Sequence, residues 1–284
     1  MLGRRGTLRF LAGPPLVWLG AFFLVPLVLI AVTSFRAGFG GGADAWQPSL
    51  EHYREVLRTP AFLRQLGVSV LVAMGVAAVA TALAYPVAYF LAFRAERRAA
   101  LFLTLLLIPF AVSYLLRVMA WKLMLGREGG INSLLGMLGL VDEPVALLLY
   151  SRAAVIITLV YVWIPFAALP IYAAMQRVDR AHLEAAADLG AGPWARFFRV
   201  TLPLSLPGAL AAFSMVFIPT VGEYVTPSLV GGTEGVMYGN IIQGFFTRSA
   251  NWAMGSALAM IMLVLTVVLV AVALRIVNPR RLVV

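Results

Sequence analysis

The chain has 284 residues, of which 62% are hydrophobic and only 12% charged, with a mean hydropathy of +0.94; soluble domains carry about a quarter charged residues, so that class is excluded and an integral membrane protein remains. The absence of cysteine excludes disulfides, thiolate metal sites and cysteine catalysis, and the two histidines, His52 and His182, stand too far apart in sequence for a metal cluster or a serine–histidine relay. The net charge of +10 is read as basic residues at cytoplasmic helix ends rather than as a nucleic-acid surface.

In chain order, apolar runs able to cross a bilayer, which takes about 20 residues, lie at 10–35, 65–93, 99–121, 150–176, 203–224 and 250–275. The third is uncharged only to Leu116 and is extended past Arg117 to Trp121. The expectation is an all-α integral membrane protein, one domain over residues 1–284, with six transmembrane helices and both termini on one side. The first run is too long, and lacks the small-residue cleavage site, for a removable signal peptide.

Basic residues give the orientation. With the N-terminus cytoplasmic, Arg4, Arg5, Arg9, Arg94, Arg97, Arg98, Arg177, Arg180, Arg196, Arg199, Arg275, Arg280 and Arg281 fall inside, which is 13 of the 22 basic residues. Of the outer segments, residues 36–64 open with the flexible "AGFGGGADA" and continue into "SLEHYREVL", whose spacing predicts a helix with a mixed-charge face. In 126–145, "INSLLGMLGL" is too short to span and reads as a helix lying near the interface.

Active transport needs an energy source, and none is visible. The only lysine, Lys122, sits in "WKLML", which is not a phosphate-binding loop. The spans carry no chain of carboxylates for a proton relay; the one acid near a span is Glu223, at the outer end of the fifth. Neither a catalytic set nor a metal site can be assembled, so any energy comes from a partner.

Between spans four and five lies a polar island, residues 177–204. Its pattern is Glu184-Ala185-Ala186, three residues, Gly190, nine residues, Val200, one residue, then Leu202-Pro203. "AHLEAAADLGA" favours a short helix with Asp179 as candidate N-cap, and Gly190 or Gly192 can supply the left-handed residue that ends it. Pro193 and Trp194 then begin a second helix returning to the membrane. A bare connector capping two helices is the alternative.

This segment resembles the EAA loop of the membrane subunits of bacterial ABC importers of the binding-protein-dependent type. "SYLLRVMAWKLMLGREGGINSLL" (113–135) and "VGEYVTPSLVGGTEGVMYGNIIQGFF" (221–246) are similar to stretches of spermidine/putrescine-type permeases. The resemblance implies a type I importer-like permease fold whose coupling helix, carrying Glu184, Ala185, Ala186, Gly190, Val200, Leu202 and Pro203, docks into an ATPase subunit. It also implies the partners: a homologous second permease, two ATPase subunits holding ATP and Mg, and an extracytoplasmic solute-binding protein, in a bacterial inner membrane. No cofactor is implied for this chain. The substrate implied is a polyamine, with ferric ion, phosphonates, opines or amino-acid-like solutes as alternatives; a stand-alone transporter or channel would leave the EAA pattern unexplained.

Candidate path residues are Glu223, Arg117, Tyr114, Trp163 and Tyr224. Glu223 either attracts a cationic cargo or is a helix-end residue paired with a base such as Arg117. Arg117 is costly unpaired in a span, so pairing with Glu223 is the expectation; a free Arg117 would favour an anionic cargo. Tyr114, Trp121, Tyr161, Trp163 and Tyr224 either offer π faces to an amine or are interfacial packing residues. Pro165, Pro170, Pro207 and Pro219 can kink spans four and five. His182, Arg196 and Arg199 either meet an ATPase or face solvent and lipid headgroups.

Overall fold

The computed structural model describes residues 4–37, 47–145 and 148–277. Most of the glycine-rich stretch after Phe35, and Arg280 and Arg281 of the basic set, lie outside the described residues. The described chain is helical: α1 (Arg4–Leu19), a π-helix (Gly20–Leu24), α2 (Val25–Ser34), α3 (Glu51–Arg58), α4 (Pro60–Phe93), α5 (Ala99–Leu107), α6 (Tyr114–Leu125), α7 (Gly130–Met137), α8 (Arg152–Met175), α9 (Arg180–Asp188), α10 (Pro193–Arg196), α11 (Leu202–Val221), α12 (Tyr238–Thr247) and α13 (Trp252–Val277). Among the described residues five helices are long and apolar enough to cross a membrane, at Ala12–Ser34, Pro60–Phe93, Arg152–Met175, Pro193–Val221 and Trp252–Ala273, and a bent pair, Ala99–Ala111 with Tyr114–Met137, brings the number to six if the pair counts as one span.

Two of these differ from the sequence expectation. The third span is not one straight helix to Trp121, because it turns by 87° between Ala111 and Tyr114. Pro109 has no N–H for the i→i−4 ladder, so the chain tightens into a 3-10 turn, Ile108–Ala111, and Val112 leaves in extended geometry with ψ 138°. The fifth span begins earlier than residue 203, as one helical run from Pro193, with a π-helical widening at Phe197–Thr201. Pro203 explains the widening, since it cannot donate to the Arg199 carbonyl, and the Leu202 N–H reaches back to Phe197 instead.

The chain divides into two compact units. Residues 1–63 with 241–265 form the first, and 64–240 with 266–284 the second. In the first, the Ser34 hydroxyl bonds the Tyr53 hydroxyl at 2.7 Å, and the Phe35 and Tyr53 rings meet at 5.2 Å. The helix expected in "SLEHYREVL" is α3, which buries His52 and Val56 and exposes Glu51, Arg54, Glu55 and Arg58.

The second unit is organised on small residues. Along α4, Ala73, Ala77, Ala80, Ala84 and Ala88 are buried at helical spacing on one face. Helices α8 and α11 pack closely at Gly208, where an added Cβ would stand 2.4 Å from Ala174 Cβ and 2.6 Å from the Pro170 carbonyl. Ala167, Ala168 and Ala212, fully buried on these two helices, continue the close packing. The apolar stretch expected near the interface forms α7, with Leu134 and Met137 exposed.

Candidate functional site

The first site is the elbow between α8 and α11. Asp179 caps α9, its carboxylate accepting the Ala181 N–H at 3.0 Å. At the other end, Gly190 adopts φ +83°, and the N–H groups of Gly190 and Ala191 return to the carbonyls of Ala187 and Ala186, both at 2.9 Å. That pair of bonds is a Schellman closure, and its left-handed residue is why glycine stands there. Pro193 then starts α10, where its missing N–H costs nothing.

The elbow holds Glu184, Ala185 and Gly190 exposed, Ala186, Val200 and Leu202 half-buried, and Pro203 exposed. Glu184 makes no hydrogen bond or ion pair with the described residues. Sequence reasoning missed the apolar surface beside it: Leu189 is 89% exposed and Trp194 76%. Phe198, also exposed, stacks on Trp194 with ring centroids 6.1 Å apart. Its signal was an aromatic pair at i and i+4 on a polar segment. Behind this surface the Ser205 hydroxyl donates to the Thr201 carbonyl at 2.6 Å and also meets the Tyr85 hydroxyl, fastening the root of α11 to α4. Arg196 buries its Nε with no partner, and His182 is exposed.

The second site lies where two helix ends meet, the start of α6 after the 87° turn and the chain just beyond α11. Glu223 leaves α11 through Gly222 and caps the short helical segment that follows. Its Oε1 accepts the N–H groups of Val225 at 2.7 Å and Thr226 at 3.1 Å. Its Oε2 accepts the Tyr114 hydroxyl at 2.9 Å, and that hydroxyl also meets Thr226 Oγ1 at 2.6 Å. Asn240 stiffens the loop, donating to the Tyr224 carbonyl at 2.9 Å and Ser228 Oγ at 2.8 Å while accepting from the Met237 N–H. Gly239 allows α12 to press on the break, since a Cβ there would lie 2.7 Å from the Glu223 carbonyl.

Arg117 does not pair with Glu223. No salt bridge joins the two side chains, and the Glu223 oxygens accept from neutral donors. The Arg117 guanidinium lies instead over Phe110, 4.5 Å from its centroid, and 5.9 Å from that of Tyr114, with Nε buried and unbonded. Phe110 packs edge-on against Phe166 at 4.1 Å, and Phe166 meets Trp163 at 5.6 Å, so Trp163 joins the cluster through two intervening rings. The Trp163 Nε1 is buried without a partner. Tyr224 adjoins Glu223 in the chain but leaves its ring exposed. Trp121 and Tyr161 pack on each other at 5.1 Å. Sequence reasoning named Tyr114 and Glu223 separately as path candidates without their bond, and it missed Thr226. An acid three residues before that threonine, with Pro227 next, is a helix-start signal that could have found it.

Comparison with known proteins adds a family and a fold. A family described as "Binding-protein-dependent transport system inner membrane component" matches residues 84–283. The spermidine/putrescine transport system permease protein PotB of Haemophilus influenzae is 34% identical over 255 residues, covering 90% of this chain and 88% of that protein. PotB of Escherichia coli K12 is 33% identical over 240 residues, covering 84% and 86%. Among solved structures, a chain of a bacterial alginate ABC transporter in complex with an alginate pentasaccharide-bound periplasmic protein superposes with a TM-score of 0.69 at 16% identity, covering 96% of this chain and 94% of that one.

Proposed function

This chain belongs to the family of binding-protein-dependent transport system inner membrane components, and we propose that the cargo of its importer is a polyamine of the spermidine/putrescine class. The observation that carries the reading is Glu223: a carboxylate at a span end, held by three neutral donors and met by no basic side chain. A carboxylate so placed replaces part of the hydration an ammonium loses on leaving water. The polyamine names of the relatives that match most of this chain point the same way.

In this reading the chain is one half of a path completed by a homologous permease, with two ATPase subunits below and an extracytoplasmic binding protein above, in a bacterial inner membrane. ATP and Mg belong to the ATPases. The Leu189, Trp194 and Phe198 surface and the free Glu184 carboxylate suit a groove on such a subunit, since exposed aromatics at a compact knob are typical interface anchors. Closure of the ATPases pushes the elbow, and the helical run from Pro193 to Val221 carries that motion to the Glu223 end.

Arg117 favours a second reading. With its guanidinium on an aromatic face and no carboxylate at salt-bridge distance among the described residues, it suits an anionic solute. Calorimetric titration of the binding protein that accompanies this chain separates the two, using spermidine, putrescine, amino acids, a phosphonate and ferric ion. Tight polyamine binding is the expected result; binding of the phosphonate alone overturns the polyamine reading and leaves family membership intact.

A further inference from the structure

We propose that Thr226 is a positioning residue for cation transfer, its buried hydroxyl fixing the Tyr114 proton on Glu223 and so defining the one seat that carboxylate offers. The inference rests on the cationic reading above and follows from counting protons. Tyr114 has a single hydroxyl proton, and Glu223 Oε2 at 2.9 Å can only accept it. The 2.6 Å contact between Tyr114 and Thr226 therefore carries the threonine proton, donated to the phenol oxygen. Thr226 is fully buried and no other described acceptor takes its proton, so water does not substitute for this bond.

The consequence falls on Glu223. A carboxylate has about four acceptor positions; two are taken by the N–H groups of Val225 and Thr226 and one by Tyr114. One remains, on Oε2 beside the phenol. An ammonium arriving there meets a carboxylate that cannot turn, because one oxygen is fixed by backbone and the other by a phenol that Thr226 holds in register. Backbone donors and the Asn240 bonds fix the loop whether or not the threonine hydroxyl is present, so the hydroxyl acts on orientation rather than on folding.

Thr226→Val and Thr226→Ser separate this role from packing. Valine keeps the shape and removes the proton; serine keeps the proton and removes a methyl. The assay is ATP-driven uptake of radiolabelled spermidine and putrescine by the whole importer in proteoliposomes, at saturating loaded binding protein, with ATP hydrolysis measured in parallel. The expected result is uptake about tenfold lower for Thr226→Val, the worth of one buried hydrogen bond, with hydrolysis retained and Thr226→Ser close to wild type. The opposite order, valine active and serine impaired, shows a packing residue and overturns the proposal while polyamine transport stands. A wild-type importer that moves a phosphonate and no polyamine removes the cationic reading, and this inference with it.

Discussion

Gly190 offers the cleanest perturbation of the coupling elbow, because its role is conformational and nothing else. Its φ is +83°, yet an added Cβ would meet no atom within 4 Å. Substitution therefore introduces no clash. The whole effect of Gly190→Ala comes from holding an L-residue in the left-handed region, about 1–2 kcal/mol, and Gly190→Val costs more because its branched Cβ tolerates that region less. If the elbow must keep this shape to engage an ATPase, the cost appears as engagement weakened roughly 5- to 30-fold for alanine. Asparagine, which visits the left-handed region more readily, suffers less. The assay is ATP-driven uptake in proteoliposomes together with ATPase co-purification and circular dichroism of the isolated chain. Activity ranked Gly, Asn, Ala, Val, with unchanged helicity, is expected. Asparagine as damaging as valine would mean that space rather than backbone geometry limits the site, and an alanine variant of full activity would refute the coupling role of this turn.

Two further outcomes test other parts of the molecule. Trp194→Ala, removing a side chain 76% exposed, should leave the melting midpoint unchanged and weaken ATPase co-purification by about 2 kcal/mol or more, as expected of an interface anchor; retained co-purification would place the docking surface elsewhere. Gly208→Ala should cost about 1–3 kcal/mol of stability, seen as a lower melting midpoint in detergent, because its methyl would stand 2.4 Å from Ala174 Cβ and 2.6 Å from a backbone carbonyl. Gly75→Ala, with nothing within 4 Å, is the control that should cost nothing.

What could be read in the sequence was what local chemistry decides. The apolar runs, the Asp179 cap and a left-handed glycine at 190 or 192 each follow from a few neighbouring residues, and each has its counterpart in the structure, the glycine at Gly190. The 87° turn in the third span was not legible, because a single proline in an apolar run is compatible with either a mild kink or a break. Nor was the continuity of the run from Pro193 to Val221, whose first turns are polar and carry two arginines, Arg196 and Arg199. The Tyr114–Glu223 bond joins residues 109 apart in sequence, a distance over which no periodicity speaks. The expected Arg117–Glu223 pair is absent because nearer donors hold the carboxylate: backbone N–H groups two and three residues on take Oε1, and the Tyr114 hydroxyl takes one position on Oε2.

That failure turns two charges into a test of cargo. Both act on Tyr114, Glu223 through its bond and Arg117 from 5.9 Å above the ring, yet neither neutralises the other by contact. A cation–π contact, worth about 0.5–2 kcal/mol, leaves the guanidinium charge in place, so half-buried Arg117 remains a source of positive potential on the Tyr114 ring that bonds Glu223. For a cationic cargo the two residues then work in opposite directions. Glu223→Gln removes attraction and should cut spermidine uptake about tenfold or more, whereas Arg117→Gln removes repulsion and should leave uptake unchanged or raise it. An anionic cargo reverses both signs. Since the two charges share a neighbourhood, the double variant should fall between the singles rather than below them. Loss of uptake in both single variants fits neither sign pattern. It would mean that the charges hold the α6 and α11 ends in place and that cargo recognition lies elsewhere on the path.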